Sequence, residues 1–451
     1  MIYDTLYNNQ NNEPKYRCLY LDIKLAIEKG SLKKGDKLPS IRKLCEELNL
    51  SKTTVEMAYN QLCSDGYIHS VPQSGFLVEA NFEALEKNTI STSQNISNFA
   101  KSHFEYDFGS KTVDYIDISV WKKYLKDILN KPYLLSSYGD ACGEFALRKA
   151  LQRYLFDVRG VNTNYNNIVI GAGMQVLLYL LCGPLKIGNK IAIEKGAYPQ
   201  AEQIFNDFGI NVVYAECDSY GITPASLEKL NVDLVLINPN YSANSCKIMP
   251  IQRRVDIINV CKKRNIIIIE DDFNGELRYT SHPMSALQSY GNDVTIYLGS
   301  FSKLLLPSVR IGYMVLPNCL KDRLTLINDK YNQTASKLEQ LALATFISDG
   351  KLETHLRRLR KLYHDKSNIL INCIKEYFPN DTQFILNETA LCVGIYIKDM
   401  SAPQIYKTLQ NNSINTIRTT FGKYNLVVGF SGIEIDKIDS GIKKISDLLI
   451  I

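Results

Sequence analysis

The stretch Thr295–Tyr313, TIYLGSFSKLLLPSVRIGY, decides the fold, because it reads as a buried strand, a polar turn and a second apolar strand. Lys303 lies in the polar turn. A buried lysine is costly unless it is neutral or covalently engaged, as in enzymes whose lysine forms a Schiff base. Ser300, Ser302 and Arg310 add two hydroxyl donors and a forked cation, which are the groups that a bound phosphate needs. The alternative interpretation is an ordinary lysine in an exposed loop.

A second stretch favours the chemical interpretation of this lysine. The run Asn265–Ile269 is apolar and β-branched, which predicts a strand covered on both faces, and Glu270, Asp271 and Asp272 follow it directly. Open α/β sheets bind their ligands at the carboxyl ends of their strands. Three adjacent acids more often form a solvated loop. Beside a lysine and a phosphate site, however, one acid can keep a pyridinium nitrogen protonated and so make the ring of pyridoxal 5'-phosphate (PLP) an electron sink.

Length and composition describe an ordinary globular chain. The 451 residues suggest two to three domains, and 45% hydrophobic with 22% charged residues is typical of soluble proteins. The sequence has neither a signal peptide nor an apolar run of about 18 residues, so we predict a cytoplasmic protein. The eleven cysteines are scattered without a C-x-x-C pair, which favours reduced thiols over zinc or disulfides. The net charge of +5 permits nucleic-acid binding without arguing for it.

The front segment, roughly Lys15–Ala80, has the pattern of three short helices followed by a hairpin. Ser40 and Ser51 stand where N-caps would begin the second and third helices. The third helix has an apolar face with the spacing i, i+3, i+4, i+7, which consists of Val55, Ala58, Tyr59 and Leu62. Two apolar runs on either side of Pro72–Gly75 predict the hairpin. Together these elements predict a winged helix-turn-helix.

A winged helix-turn-helix implies a DNA-binding surface at the start of its third helix, which would enter the major groove. Backbone N–H groups at a helix N-terminus also favour phosphate. The candidate DNA contacts, at the helix starts and the wing tip, are Ser40, Arg42, Ser51, Lys52, Thr53, Thr54, Gln73, Ser74 and Gly75. The alternative is a helical accessory domain that binds protein. Ten Lys and Arg against eight Asp and Glu over Lys15–Glu79, a net charge of +2, do not exclude it.

Four further motifs combine regular elements with polar turns. Tyr138–Arg148 opens an amphipathic helix, and Ile168–Gln175 reads as a strand, a glycine turn and a helix start, where backbone N–H groups can hold an anion. Ile191–Pro199 and Leu234–Cys246 are strands that end in turns. The candidate anion contacts at the glycine turn are Gly173, Met174 and Gln175. Read from the residues alone, Tyr138 can be a surface-turn tyrosine and Tyr198 can simply pack in the core, and Asn240 and Asn244 are polar residues of the last turn.

These motifs, in this order, resemble a known family. From about Tyr106 onward the chain is similar to the fold-type-I aminotransferase domain of PLP enzymes: a mostly parallel sheet with helices on both faces, and a small α+β C-terminal subdomain. The front string LPS…R…SKTTV…AY…L…GY resembles the winged helix-turn-helix of GntR regulators. Together they resemble the MocR subfamily of bacterial transcription regulators. The resemblance implies a winged domain at 1–80, a flexible linker at 81–105 and a PLP-binding effector domain at 106–451, with the small subdomain contributed mainly by about 372–451.

The resemblance implies a role for each candidate residue of the large domain. Lys303 would carry PLP as an internal aldimine and Asp271 would pair with the pyridine nitrogen, so these two are the candidate catalytic residues. Tyr198 would stack on the ring, and Tyr138 would reach across a head-to-tail homodimer to the cofactor phosphate of the partner subunit. The phosphate itself would be held by Ser300, Ser302, Arg310, Gly173, Met174 and Gln175. Arg418 is the candidate for binding the carboxylate of an effector by a forked contact, with a simple surface charge as the alternative.

The sequence departs from the family pattern at three places. Phe273 stands where the family has a tyrosine that contacts the ring oxygen. Losing that phenol removes one hydrogen bond, worth about 0.5–1.5 kcal/mol, and should blunt transamination without abolishing PLP binding. The loop Asn244-Ser245-Cys246 replaces Pro-Thr-Gly, and Asn240 or Asn244 is left as the donor to the ring oxygen. Lys52 replaces the usual arginine, which keeps the charge but loses bidentate readout of guanine.

We therefore predict a cytoplasmic, PLP-dependent transcription regulator that binds operator DNA as a homodimer. A small amine, an amino acid or PLP itself would act at Lys303 and change operator binding. One alternative is a working aminotransferase with an accessory DNA-binding domain. Phe273 and the altered 244–246 loop count against it, whereas Lys303 and Asp271 count for it. A second alternative is a regulator that no longer uses PLP.

Overall fold

The computed structural model describes residues 13–72, 74–80, 104–109, 113–114, 118–243, 245, 247–272, 274–279, 284–418 and 422–450. The chain forms two compact units, residues 1–99 and 100–451. The predicted linker at 81–105 falls almost wholly outside the described residues, so the domain boundaries drawn from the sequence stay predictions. Among the described helices, none is long and apolar enough to cross a membrane.

The described part of the N-terminal unit is the predicted winged helix-turn-helix. Its three helices and its antiparallel hairpin are α1 (Lys15–Glu28), α2 (Ile41–Leu48), α3 (Lys52–Ser64), β1 (Ile68–Val71) and β2 (Gly75–Val78). The three helices pack on one small core with the hairpin, and its buried members include Leu19, Ile23, Leu44, Val55, Tyr59 and Leu62. The apolar spacing read from the sequence is therefore the packed face of α3.

The local chemistry of the caps explains where these helices begin and end. The hydroxyl of Ser40 accepts the backbone N–H of Lys43, and that of Ser51 accepts the N–H of Thr54, each at 3.2 Å. Both predicted N-caps are thus confirmed. Asn49 ends α2 in the left-handed region at φ 51°, a conformation that asparagine adopts more readily than most residues, and this turns the chain into α3.

The large unit is built on a mostly parallel sheet, as predicted. Its strands up to residue 315 are β3 (Tyr106–Asp107), β4 (Ile168–Gly171), β5 (Lys190–Ile193), β6 (Asn211–Tyr214), β7 (Cys217–Asp218), β8 (Gly221–Ile222), β9 (Leu234–Ile237), β10 (Ile267–Asp271), β11 (Thr295–Ser300) and β12 (Gly312–Val315). In the described residues the main sheet has seven strands in the order β4-β12-β11-β10-β9-β5-β6. All run parallel except β12, which is antiparallel to both neighbours.

Helices cover both faces of this sheet. They are α4 (Ile118–Leu129), α5 (Phe145–Arg159), α6 (Met174–Cys182), α7 (Pro199–Asp207), α8 (Pro224–Lys229), α9 (Ile251–Arg264), α10 (Leu324–Lys330), α11 (Lys337–Ser348) and α12 (Lys351–Tyr377). Alternate strand residues point to opposite faces. Ile168 and Ile170 pack in the cluster of α5, α11 and α12, whereas Val169 packs with α6 and α7. Because both faces are buried, the strands read as continuous apolar runs.

The C-terminal subdomain is α+β, as predicted. Its elements are β13 (Phe384–Asn387), β14 (Cys392–Ile395), α13 (Ala402–Asn411), β15 (Ile414–Asn415), β16 (Leu426–Gly429) and α14 (Lys437–Leu449). Strands β13, β14 and β16 form an antiparallel sheet. The short β15 pairs in parallel with β3, with Ile414 opposite Tyr106. Residues from the start of the large unit therefore join this subdomain, which the sequence did not indicate.

The register of the main sheet brings three chain segments together at one edge. Ser300 at the end of β11 lies opposite Gly312 at the start of β12, and Gly312 lies opposite Gly171 at the end of β4. Asp271, the last residue of β10, lies opposite Leu298 of β11. This carboxyl edge of the parallel strands is where an open α/β sheet places its ligand.

Candidate functional site

A cavity of about 600 Å³ opens at this edge of the sheet. The predicted cofactor residues that line it are Met174, Gln175, Tyr198, Asp271, Ser300, Ser302, Lys303 and Arg310. They come from the ends of β10 and β11, the turn before β12 and the starts of α6 and α7, so the sheet topology brings together residues that are far apart in sequence. The cavity walls also include Gln200, Tyr241 and Asn274, which the sequence reasoning did not select.

Lys303 lies partly buried in the turn between β11 and β12. Burial lowers the pKa of its amine to about 8. An unperturbed lysine has a pKa of about 10.4, so Lys303 holds a much larger neutral fraction near neutral pH. The neutral amine is the form that attacks a carbonyl carbon. The surroundings of Lys303 thus differ from those of the exposed loop lysine that the sequence left as an alternative.

The same cavity contains a set of groups suited to an anion. Gly173, at φ 93°, precedes α6, whose first backbone N–H groups have no partner within the helix. The Arg310 guanidinium lies against Gly173, because a Cβ at that position would be 2.7 Å from Nη2 of Arg310. The hydroxyl of Ser300 lies 3.2 Å from that of Ser302 and accepts the backbone N–H of Ser302 at 3.2 Å. Backbone donors, hydroxyls and a forked cation together form a phosphate-binding set.

Glu270 and Asp271, the last two residues of β10, have different surroundings from each other and from Asp272, which follows the strand. Glu270 is buried and accepts the backbone N–H groups of Leu287 at 2.6 Å and Gln288 at 2.8 Å, so it fixes a loop. Asp271 lines the cavity, and burial together with the charge of Asp272 raises the pKa of its carboxyl to about 7. Both effects disfavour the charged carboxylate, so Asp271 is suited to a cation or a proton donor placed in the cavity.

Asp272 forms a buried hydrogen-bonded network. Its carboxylate accepts hydrogen bonds from Nε and Nη2 of Arg159 at 2.7 and 2.8 Å, from the amide of Asn240 at 2.6 Å and from the hydroxyl of Tyr297. Burial alone would raise the pKa of Asp272, but the charge of Arg159 and these hydrogen bonds hold it below its usual value. Sequence reasoning missed Arg159, because 113 positions separate it from Asp272 and no local pattern marks the pair.

Asn240 was one of two candidates for the ring oxygen, and the structure engages its amide with Asp272. The other candidate, Asn244, lies outside the described residues, as does Phe273. Tyr198 lies at the start of α7 in the cavity wall, where burial and then the charge of Asp271 raise the pKa of its phenol well above the usual value. The phenol therefore stays protonated while its ring forms one wall of the cavity.

Two predicted residues lie away from this cavity. The side chain of Tyr138 is 92% exposed, so its predicted reach into a partner subunit stays a prediction. Arg418 stacks on the ring of Tyr406, with its guanidinium carbon 4.0 Å from the ring centre, and lines a separate cavity beside α13. This cation–π contact holds the guanidinium against α13. The structure therefore places Arg418 in a different cavity from Lys303, and its predicted contact with an effector carboxylate stays a prediction.

The predicted contacts at the two helix starts of the N-terminal unit are accessible to DNA. Arg42 and Lys52 are exposed and pair with acids one turn later, at 3.2 Å to Glu46 and 3.4 Å to Glu56. Such exposed pairs contribute little and exchange readily for a phosphate. The remaining candidates at these helix starts are the two caps, Ser40 and Ser51, with the exposed Thr53 and the half-buried Thr54.

A lysine that the sequence reasoning missed, Lys37, lies against the wing of the N-terminal unit. Ser74 and Gly75 lie in the hairpin turn, and Gln73 lies outside the described residues. Lys37 forms a β-bridge with Leu77 of the wing, and its Cε lies 3.6 Å from where a Cβ on Gly75 would be. The cluster of lysines at 33–37 in the sequence was a signal for this basic edge.

The cavity fits PLP on three observations of the structure. Arg310 lies against Gly173, so a forked cation stands beside the start of α6, where backbone N–H groups favour a phosphate. Asp271 places a carboxyl of raised pKa, about 7, in the same cavity. Lys303 holds a readily neutralised amine in the same cavity. PLP needs this combination of an anion site, an acid and a nucleophilic lysine.

The fold and cavity define a fold-type-I, PLP-binding domain joined to a winged helix-turn-helix. Residues 102–439 match the family Aminotransferase class I and II, and residues 15–78 match Bacterial regulatory proteins, gntR family. The chain is 32% identical over 444 residues to the uncharacterized HTH-type transcriptional regulator YdeL of Bacillus subtilis, covering 96% of each. It is 24% identical over 458 residues to the probable rhizopine catabolism regulatory protein MocR of Rhizobium meliloti, covering 96% of this chain and 93% of that one. The chain belongs to the MocR subfamily of GntR-type transcription regulators.

Solved structures match the large unit. Kynurenine aminotransferase of Pyrococcus horikoshii, solved in complex with PMP, superposes with a TM-score of 0.66 at 21% identity, covering 77% of this chain and 91% of that one. At this identity the likeness shows the fold alone. The predicted fold class is confirmed, and so is the prediction of a transcription regulator whose large domain is PLP-dependent.

Proposed function

We propose that this regulator senses a small amine, an amino acid or PLP itself at Lys303, and that occupancy changes how its winged unit binds operator DNA in the cytoplasm. The observation that carries the proposal is the gathering of an amine of lowered pKa, a carboxyl of raised pKa and a phosphate-binding set in one cavity. A purely structural site would not need a lysine whose amine has a pKa lowered toward neutral pH.

Each residue of the cavity has a distinct task in this proposal. When bound, PLP supplies a carbonyl carbon that reacts with amines and a ring that withdraws electrons. Lys303 provides the amine that bonds to it, and Asp271 holds the proton on the ring nitrogen. The start of α6, Arg310 and Ser300 bind the phosphate, and Tyr198 packs on the ring. These side chains would hold and orient the cofactor in the cavity.

An effector with a primary amine competes with the amine of Lys303 for the same position. The remaining walls that such an effector would touch are Gln200, Tyr241 and Asn274. Asn274 also donates to the backbone carbonyl of Thr389 in the C-terminal subdomain, at 2.7 Å. Binding can alter DNA affinity only if the effector favours one conformation of the protein over another. Through the Asn274–Thr389 hydrogen bond, a ligand in the cavity could change the position of the C-terminal subdomain.

A head-to-tail homodimer is part of the proposal. Tyr138 is almost fully exposed, and a large exposed aromatic is suited to an interface. In the dimer it would contact the cofactor phosphate of the partner subunit. Two winged units in one dimer would also recognise two half-sites of an operator, as symmetric helix-turn-helix regulators do.

The covalent part is tested with Lys303→Ala and with Lys247→Ala, an exposed lysine outside the cavity, as the matched control. Each protein is mixed with PLP, reduced with borohydride and weighed by mass spectrometry. We expect one attached PLP in the wild type and in Lys247→Ala, located at residue 303 by peptide mapping, and none in Lys303→Ala. Attachment at another lysine, or none in the wild type, would overturn the proposal.

The sensing part is tested on DNA selected from a random duplex library by the PLP-loaded protein. Fluorescence anisotropy then measures the affinity for the selected duplex with and without a panel of primary amines, amino acids and excess PLP. We expect at least one compound to change the affinity of the wild type but not that of Lys303→Ala. If no compound changes it, the large domain is not a sensor of this chemistry.

A working aminotransferase is the second candidate function, and the retained pair of Lys303 and Asp271 favours it. The same preparations decide between the two functions. Continuous conversion of an amino donor and a keto acid, dependent on Lys303, would support the enzyme. A single stoichiometric reaction that changes DNA affinity would support the sensor.

A further inference from the structure

The ion pair of Arg159 and Asp272 is the most deeply buried charged pair in the described residues. Their side chains are only 1% and 0% exposed. The guanidinium makes the two bonds to Asp272 and a third, from Nη1, to the backbone carbonyl of Met284 at 2.6 Å. The pair thus ties the last residue of α5 to the residue that directly follows Asp271 in the cavity.

The chain encloses this pair tightly. A Cβ at Gly275 would lie 2.3 Å from Oδ1 of Asp272 and 2.6 Å from Nη2 of Arg159, so the backbone of Gly275 covers the pair where any side chain would collide with it. Asn240, in the loop after β9, and Tyr297 of β11 add hydrogen bonds. The pair is therefore held from α5, the loop after β9, β11 and the turn after β10, and it has little freedom to move.

Stability alone is a poor explanation for this arrangement. Taking two charges out of water costs several kcal/mol per ion, and well-packed apolar residues in place of a buried pair are often neutral or stabilising. A pair kept at this cost next to the cavity is more easily explained by its effect on the cavity. Asp272 adjoins Asp271 and places a fixed negative charge beside its carboxyl.

We propose that the Arg159–Asp272 pair is a positioning device for Asp271, in which Arg159 fixes the carboxylate of Asp272 and Asp272 strengthens the hold of Asp271 on the proton of the cofactor nitrogen. This inference rests on the proposed placement of PLP, with its ring nitrogen on Asp271. Neither Arg159 nor Asp272 touches the reacting atoms in this proposal. They act through Asp271, whose carboxyl is the group that contacts the ring.

Other charged and titratable groups face the same network from the elements packed around it. They are Glu270 of β10, Arg254 of α9, Glu276 of the turn after β10, Arg360 of α12, Tyr154 of α5 and, in the cavity, Tyr198 and Arg310. All of them stay in place in the variants below, so a change in proton affinity is assigned to the pair itself.

The test uses the full-length, PLP-loaded protein with ¹⁵N in the pyridine ring, because the ¹⁵N chemical shift reports protonation of that nitrogen directly. Asp272→Asn removes the negative charge and keeps the shape. With less negative charge nearby, the ring nitrogen should lose its proton at lower pH, by about one pH unit, which is a tenfold loss of proton affinity. Asp218→Asn is the matched control. Asp218 does not line the cavity and pairs with Arg253, with 2.6 Å between the carboxylate oxygen and Nη2, so its substitution should not shift the titration of the ring nitrogen.

A second variant covers the case in which Asp272→Asn fails to fold with an unpaired Arg159. The double variant Arg159→Met with Asp272→Asn removes both charges of the pair together, so neither is left buried without the other, and it should fold. We expect the same direction of shift, because the charge beside Asp271 is gone. A ring nitrogen that titrates at the wild-type pH in a folded variant would overturn the positioning role.

Failure of this inference can be told apart from failure of the proposed function. Asp271→Asn removes the partner of the ring nitrogen and should give the largest shift. No shift in Asp271→Asn means that PLP is not placed as proposed. A shift in Asp271→Asn without one in Asp272→Asn contradicts only the role of the pair.

Discussion

The two units of the chain build their binding surfaces in opposite ways. In the N-terminal unit the charged candidates for DNA contact, Arg42 and Lys52, are exposed, and their acidic partners lie one helical turn away. In the large unit the site depends on residues such as Asp272 and Arg159, which are buried and 113 positions apart. Exposed local charges act nearly independently and are screened by salt. Buried groups shift the pKa values of one another, so their effects are coupled.

The difference sets what a substitution should do in each unit. A change in the Lys303 cavity should alter a specific chemical property, such as a proton affinity or the fit of a phosphate, by a large factor. A change at the start of α3 should alter DNA affinity modestly and in a salt-dependent way. Substitutions at Gly173, Asp271 and Lys52 test this contrast, and we expect their effects to decrease in that order.

The largest effect is expected from Gly173→Ala. The new Cβ would lie 2.7 Å from Nη2 of Arg310, so it would push the guanidinium away from the proposed phosphate site. The positive φ of 93° at this position adds backbone strain. Loss of a hydrogen bond to a charged group costs about 1.5–3 kcal/mol. We therefore expect the dissociation constant for PLP to rise by about 10- to 150-fold, measured by equilibrium titration with PLP.

Gly209→Ala is the matched control for this substitution. Gly209 also has a positive φ, 71°, but nothing lies within 4 Å of its Cβ position. The control therefore carries the backbone strain without the collision. Equal loss of PLP affinity in both variants would mean that strain alone, rather than the displacement of Arg310, explains the result.

A second prediction concerns the stability of the PLP-free protein. The pKa of Asp271 is raised from 3.8 to about 7 in the folded state, so folding is penalised where Asp271 must be charged. The penalty is absent below pH 4, grows as the pH rises from about 4 to 7 and is complete above 7. Asp271→Asn removes it, so this variant should unfold at a higher temperature than the wild type at pH 8 and at the same temperature near pH 4.

Asp218→Asn should behave in the opposite direction. The hydrogen bond from Arg253 lowers the pKa of Asp218, so the charged form stabilises the fold, and this contribution is lost as the pH falls through the lowered pKa. The variant should be slightly less stable than the wild type at neutral pH, where an exposed pair is worth little. Thermal unfolding at several pH values measures both variants. A parallel response of the two would contradict the raised pKa of Asp271.

The sequence predicted the fold where the signals are local. The caps at Ser40 and Ser51 and the apolar face of α3 depend on neighbours within one or two turns, and all three are found in the structure. The strands that end at Asp271 and Ser300 were visible because strands buried on both faces are continuously apolar. The predicted cofactor residues follow such strands, and the topology gathers most of them in one cavity.

The sequence could not predict contacts that depend on tertiary packing. Arg159 reads as the basic end of an amphipathic helix, and only the packing of α5 on the sheet brings it to Asp272. Arg418 is a candidate effector contact because a forked cation suits a carboxylate, and no sequence pattern predicts that it stacks on Tyr406 of α13. The pairing of β15 with β3 joins residues more than three hundred positions apart, and no local sequence pattern predicts it.

The smallest effect is expected from Lys52→Gln. If Lys52 neutralises one phosphate, its removal should reduce the slope of log affinity against log salt by about 1 and weaken all duplex sequences alike. Lys29→Gln, at the exposed end of α1, is the matched control and should leave the slope unchanged. If Lys52→Gln alters the sequence preference instead, Lys52 contacts a base. The exposed surface would then read sequence through a lysine in place of the family's arginine, and Lys52→Arg should strengthen binding to duplexes with guanine at that position.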